Sequence, residues 1–256
     1  MFAYFKREFL SFFKSPVGYV AFALFSFLSG FLFVSNFSSG AVSITTEVIS
    51  LRSFFVIIIP IVTMGLFAED KKRGTDIIYY TSPVSLLKVV LGKFLAAFCL
   101  FIILFINVVV HMIITKAYGG LIDYGVLGSV IIYFVLAALF ISIGVLASAI
   151  TDNQIVSAIL SFVMIMIVQL LPTIGSFVAN VLTSFLSLFS SVDSSSAVRI
   201  QNNIVNAFKW LDPFSRTDSF RYGIFSPVAV VFCISFAAFF IFLTYRVLEK
   251  KRWTQS

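Results

Sequence analysis

Six apolar runs, at residues 17–36, 53–68, 95–115, 124–150, 155–171 and 227–245, leave this chain few folds to choose from. A helix rises ~1.5 Å per residue, so about 20 apolar residues cross a hydrocarbon core of ~30 Å. Inside that core the backbone must satisfy its own hydrogen bonds, which restricts a spanning chain to helices or a closed barrel. Barrel strands read as ~10-residue segments alternating apolar and polar. The runs here are continuous, so the expectation is an all-α polytopic membrane protein with six transmembrane helices. The run at 53–68 is short and is expected to start a few residues earlier. Composition agrees: 60% of residues are hydrophobic and 11% charged, against about 45–50% and about 25% in soluble domains.

A seventh apolar stretch, residues 174–188, follows Pro172 and is broken by Ser176, Asn180, Thr183, Ser184 and Ser187. Runs this short belong to re-entrant or interfacial segments more often than to full spans. It opens the piece 173–226 between spans 5 and 6, whose middle (190–196) reads as a polar linker, followed by an amphipathic helix over 197–210. At the other end, residues 1–15 pattern as an amphipathic helix. Phe2, Phe5, Phe9, Phe12 and Phe13 share one face and Arg7, Ser11 and Lys14 the other, as in helices that lie in the headgroup plane. Pro16 ends it, because proline disfavours helical geometry in the preceding residue.

Orientation follows from the basic residues. With the N-terminus inside, the inner segments hold Lys6, Arg7, Lys14, Lys71, Lys72, Arg73, Lys88, Lys93, Arg246, Lys250, Lys251 and Arg252, two-thirds of the 18 Lys and Arg. The positive-inside rule then places both termini in the cytoplasm. The formal charge of +7 reflects this topology and implies no nucleic-acid partner. Cys99 and Cys233 each lie inside an apolar run and read as small core hydrophobes.

Little in the chain points to catalysis. It contains no Gly-x-x-x-x-Gly-Lys-Ser/Thr phosphate loop, no His-Glu-x-x-His and no Gly-x-Ser-x-Gly. His111 and Asn107, one turn apart in the third run, bridge neighbouring helices or mark a pathway. His111 is read as the one ionisable residue within a span, which argues against a self-powered carrier. Pro60 and the Met64-Gly65 pair predict a kinked second span, Gln169 and Pro172 the end of the fifth. The polar concentration is the island Glu69-Asp-Lys-Lys-Arg-Gly-Thr-Asp76, followed by Ile-Ile-Tyr-Tyr-Thr-Ser-Pro83. A docking surface suits it better than an active site.

Three motifs in order carry a family resemblance. The lead Tyr4-Phe-Lys-Arg-Glu-Phe-Leu-x-Phe-Phe-Lys-Ser-Pro-Val-Gly-Tyr19 resembles the opening of ABC-2 type permease subunits, particularly the gliding-motility and nitrous-oxide-cluster types. Glu69-x-x-x-Arg-Gly-Thr-Asp-x-x-x-x-Thr-Ser-Pro83, followed by Leu91-Gly-Lys93, resembles that family's first cytoplasmic loop, with Asp76 where the family more often has glutamate. Leu211-x-Pro-Phe-Ser215 and Ser219-Phe-Arg-Tyr-Gly223 resemble its extracytoplasmic segment before the last span.

The resemblance implies one transmembrane domain over residues 1–256, paired with a second permease subunit as a homodimer or pseudo-dimer. It implies a separate ATP-binding cassette subunit that holds ATP and Mg, this chain binding no cofactor. Loop 69–93 would be the coupling loop, with Glu69, Arg73, Gly74, Thr75, Asp76, Thr81, Ser82 and Pro83 docking on the ATPase. Asp152, Asn153 and Gln154 would add a smaller contact, and helix 1–15 a connecting role on the inner leaflet. The implied function is a non-catalytic permease in a bacterial inner membrane, an exporter by family habit. The alternatives are an ATP-driven machine acting on an envelope or additional membrane partner through residues 173–226, and a self-standing carrier.

Overall fold

The computed structural model describes residues 1–38, 44–81, 84–120, 122–186 and 194–254. Ser82 and Pro83, and residues 190–193 of the expected linker, lie outside them. Among the described residues every regular element is helical. Helix α1 covers Phe2–Lys14, α2 Pro16–Ser38, α3 Ile44–Leu51, α4 Phe55–Thr63, α5 Ala68–Lys72 and α6 Ile77–Thr81. Helix α7 covers Leu86–Leu104, α8 Ile106–Ala117, α9 Tyr124–Ile150, α10 Gln154–Leu186, α11 Ser194–Leu211, α12 Pro213–Thr217 and α13 Pro227–Thr254. Six segments are long and apolar enough to cross a membrane: Pro16–Phe37, Ile44–Lys72, Leu86–Ala117, Tyr124–Ile150, Gln154–Phe185 and Pro227–Arg252.

Helix α9 is the axis of the bundle, packed against α3, α4, α7, α10 and α13. Its small residues permit this. A Cβ on Gly144 would lie 2.8 Å from Thr63 Cβ, so α4 and α9 meet backbone to side chain. Around its middle, Tyr133 sits with ring centroids 4.9 Å from Phe55, 5.7 Å from Phe101 and 5.2 Å from Phe105. Edge and offset contacts of this kind exploit ring quadrupoles, and they absorb part of the chain's unusual phenylalanine content. Gly30 of α2, by contrast, has open space at its Cβ position.

Three boundaries differ from the reading of the sequence. The second span starts at Ile44, earlier than 53 as expected but by nine residues and not a few, and the third at Leu86, not 95; both draw charged residues into helices. The stop expected at Pro172 does not occur. Helix α10 runs through it for 33 residues, or ~50 Å, so residues 174–186 continue span 5 rather than form a separate segment. Proline inside a spanning helix leaves the carbonyl four residues earlier, here Val168 O, without its helical donor, a cost that spans tolerate; one turn later the Ser176 hydroxyl bonds back to Pro172 O, 2.9 Å. Helix α11 returns antiparallel along α10, with Phe208 against Gly175 and Gln201 Nε2 donating to Asn180 Oδ1 at 2.9 Å.

Span 2 is jointed. Pro60 lies inside α4, and the helix ends at Thr63. One hydroxyl from α9 repairs the gap that follows: Ser148 Oγ accepts from the amides of Phe67 (2.9 Å) and Ala68 (3.1 Å) and donates to Met64 O (3.1 Å).

Candidate functional site

The polar island folds into a short hairpin at one end of the bundle. Helix α5 stops after five residues because Gly74 takes the left-handed conformation (φ +69°) that a side chain rarely adopts. The amides of Gly74 and Thr75 then close the turn on Lys71 O (3.0 Å) and Asp70 O (2.9 Å), a helix C-terminal cap. Helix α6 leads the chain away.

The inner side of this hairpin is a buried charge cluster that joins four elements. Lys93 of α7 is fully buried. Its ammonium donates to Asp70 Oδ2 at 2.5 Å, to Glu8 Oε2 at 3.1 Å and to Leu66 O, which uses all three protons. It also lies 4.9 Å from the Phe67 ring centroid and 5.5 Å from that of Tyr79. Asp70 is the hub. Its Oδ2 accepts additionally from Arg7 at 3.1 Å and from the Tyr79 hydroxyl, while Oδ1 accepts from Thr75 Oγ1 at 2.9 Å. Arg7 and Lys93 balance Glu8 and Asp70, so the burial is neutral overall. A cavity of about 270 Å³ opens beside the cluster, between Ser11, Gly65 and Arg73.

Helix α1 is amphipathic as expected and packs beside the hairpin: Phe12 is buried and Phe5 and Phe9 pack against the core, with Glu8 on the same inward side, while Phe2 (73%) and Phe13 (42%) are exposed. Gly92 lets α1 approach α7 closely: a Cβ there would meet Tyr4 Cβ at 3.2 Å. Arg7 reaches the hairpin at Asp70.

The 151–154 turn is tied to the same hairpin. Lys71 Nζ donates to Thr151 O at 3.0 Å and to Ala149 O, and lies 3.4 Å from Asp152 Oδ1. Asp152 also accepts from Lys251 of α13 at 3.1 Å. That hydrogen bond, with the charges of Lys251 and Lys71, holds the Asp152 carboxyl below its ordinary range despite some desolvation. Asn153 caps α10, its Oδ1 accepting from the Ile155 amide at 2.9 Å. Gln154 approaches Gly65 next to Glu69.

The sequence-predicted residues therefore divide. Glu69 and Arg73 pair with each other on the surface, the Arg73 side chain 70% exposed. Gly74 is exposed at the turn, Thr75 is turned inward onto Asp70, and the Asp76 carbonyl accepts from the Tyr79 amide at 2.9 Å while its carboxylate forms no ion pair among the described residues. Thr81 ends α6. Beside Arg73 and Gly74, Ile77 (59%) and Ile78 (50%) are exposed, an apolar edge on a charged hairpin. Missed were Asp70, Lys93, Glu8, Arg7 and Tyr79. The signal was present: Lys93 sits within the run Leu-Leu-Lys-Val-Val-Leu-Gly-Lys-Phe-Leu-Ala-Ala, and a lysine there needs an acid.

His111 and Asn107 do not act together. Asn107 Nδ2 donates to Leu104 O of its own chain turn, 3.1 Å. His111 Nδ1 lies 2.7 Å from Glu47 Oε1, which also accepts from Ser29 Oγ at 2.9 Å, and its ring stacks 4.3 Å from that of Phe33. Glu47 is 1% exposed within span 2. The expectation that His111 is the one ionisable residue in a span is thus wrong. Glu47 was read outside span 2, and its burial follows from its pairing with His111. Glu47 Oε2 and the Tyr133 hydroxyl are buried without a hydrogen-bond partner among the described residues.

A bundle of six apolar helices with an ion-paired hairpin at one end defines a multi-pass α-helical membrane protein. Residues 3–251 match the family described as ABC-2 family transporter protein, and the chain belongs to that family. It is a transmembrane protein of ABC transport, and family membership implies partnership with an ATPase subunit in a membrane complex. No curated protein matches the chain.

Proposed function

We propose that this chain is the permease of an ABC exporter and that its ATPase subunit docks on the outer side of the 69–78 hairpin. One observation supports this above the rest. The hairpin exposes Arg73, Gly74, Ile77 and Ile78 on one side and is locked through Asp70 and Lys71 on the other. Charged and apolar groups at the rim of a rigid element suit a protein partner. A push there reaches α1 and α7 through Lys93, and α9, α10 and α13 through the 151–154 turn. Glu69, Asp76 and Asp152 supply further charge at the same end; Thr81 closes α6, and Ser82 and Pro83, next in sequence, are assigned to the same contact. The partner holds ATP and Mg, a second permease copy completes the complex, and both termini lie in the cytoplasm of a bacterial inner membrane.

Arg73→Glu and Asp76→Lys test the docking role, since neither residue contributes to the buried cluster. In co-expression with the ATP-binding subunit, each reversal is expected to reduce ATPase recovery at least about fivefold, while the amount of permease in the membrane is unchanged; a lost charge-assisted contact is worth ~1.5–3 kcal/mol. Full recovery with both reversals combined would overturn the assignment.

A further inference from the structure

At the opposite end of the bundle, where span 2 meets α10 and α11, lies a cavity of about 630 Å³. Gln169 of its lining is 15 residues, or ~22 Å, along α10 from Gln154 beside the hairpin. Arg52 lines it and is 5% exposed. A guanidinium carries five N–H donors. Among the described residues Arg52 makes one hydrogen bond with them, a long one of 3.4 Å to Thr217 Oγ1. Buried cations are ordinarily paired, because desolvation is costly.

Among the described residues neither acid nearby closes an ion pair on Arg52, although the charge of Asp218 acts on it. Asp212 lines the cavity, but its oxygens are spent on α12, accepting from Phe214 N (3.1 Å), Ser215 N (2.9 Å) and Ser215 Oγ (2.5 Å). Asp218 also lines it and forms no ion pair with Arg52 among the described residues. A second cation, Lys209, stands on the lining with an exposed side chain, and Ile49 and Phe214 supply an apolar wall.

We infer that this cavity binds a phosphate-bearing group, held bidentately by the Arg52 guanidinium with Lys209 at the rim. The planar fork matches two oxygens of one tetrahedral anion, and the donors not used within the protein are the ones such an anion takes. The site does not depend on the docking role assigned to the hairpin.

Trp210, 61% exposed and adjacent in sequence to Lys209, provides a probe. With Trp253→Phe it is the sole tryptophan of the two in the chain. The full-length protein in detergent is titrated with inorganic phosphate, with dihexanoylphosphatidylglycerol, and with dihexanoylglycerol as the phosphate-free control. Saturable change in Trp210 emission with a phosphate-bearing probe, and none with the control, is expected. Response to inorganic phosphate identifies a free phosphate source, and response to the phospholipid alone a lipid head group. Arg52→Gln is expected to weaken binding about tenfold or more, Arg52→Lys and Lys209→Gln by about threefold to tenfold. Silence toward both phosphate-bearing probes overturns the inference. So does unchanged affinity in Lys209→Gln and Arg52→Lys, which decide the matter should Arg52→Gln fail to fold.

Discussion

Replacing Lys93 by methionine removes the one ammonium on which three elements converge. The side chain is fully buried, and its length and apolar stem are kept by methionine, so packing changes little. The electrostatic balance changes more. Arg7 and Lys93 offset Glu8 and Asp70; without Lys93 one negative charge is left over. Asp70 Oδ2 retains Arg7 at 3.1 Å and the Tyr79 hydroxyl. Glu8 retains only Arg7 at 3.5 Å, with its side chain 12% exposed, so Glu8 carries the unpaired charge. Breaking one partner of a buried pair costs ~3–5 kcal/mol. At about 2–4 °C per kcal/mol for a chain of this size, the midpoint falls by about 6–20 °C.

Thermal unfolding of the full chain in a single detergent measures this, with a thiol-reactive dye reporting Cys99 and the buried Cys233. The diagnostic variant is Lys93→Met with Glu8→Gln, which restores neutrality and is expected to recover more than half of the loss. Lys72→Met, on the exposed side of α5, should melt within 1–2 °C of the parent by the small effect of surface substitutions, about ±0.5 kcal/mol. If Lys93→Met melts like Lys72→Met, or if adding Glu8→Gln makes it worse, the charge-balance reasoning is refuted.

Three other outcomes are expected. Gly144→Ala pushes a methyl group into Thr63, itself buried and bonded to Ile59 O at 2.8 Å, and should cost about 1–3 kcal/mol in the same melts, while Gly30→Ala, with open space, should not. His111→Ala leaves Glu47 buried with Ser29 as its remaining described partner and should destabilise by ~3 kcal/mol or more; adding Glu47→Gln to it should restore stability, and an additive double variant would count against the pairing. Asp152, held below its ordinary 3.8 chiefly by the Lys251 hydrogen bond, contributes stability that is complete above the unfolded value and lost as pH falls through the lower folded one. The small gap between parent and Asp152→Asn should therefore be constant near neutrality and close below pH 3.8; a gap that widens on acidification would contradict the sign.

What could be read from the sequence was set by what needs no partner to be recognised. Continuous apolar runs give the number of spans directly, because crossing hydrocarbon is a property of one helix alone. The left-handed turn at Gly74 was legible for the same reason: it is local. Lys93, Glu47 and Arg52 were placed outside spans because an isolated charge belongs there. Each is buried in the folded chain, and for Lys93 and Glu47 a residue distant in sequence supplies the partner: Glu8 lies 85 residues from Lys93, and Glu47 lies 64 from His111. Pro172 misled in the same way, since its local rule is to stop a helix. The amphipathic pattern of α1 identified the helix and much of its inward side, Phe5, Phe9 and Phe12, but not Glu8, whose burial needs Lys93.

The two joints of span 2 show how such distant pairings shape the movement open to the bundle. The first, after Thr63, is held by the Ser148 hydroxyl of α9. The second, the 3₁₀ turn Arg52–Phe54, is met by α10, where Gln169 Nε2 donates to Ser53 O at 3.3 Å. Each interruption in the backbone is thus bridged by a side chain from a continuous helix. Span 2 by itself is three short pieces, and a displacement of the hairpin would be dissipated at either break. Helices α9 and α10 are unbroken, and Lys71 binds the turn between them. Side-chain contacts thus link the hairpin through the 151–154 turn and α10 to the second joint of span 2, next to Arg52. These contacts join the hairpin to the cavity at Arg52 without passing through the chain segment that connects them in sequence.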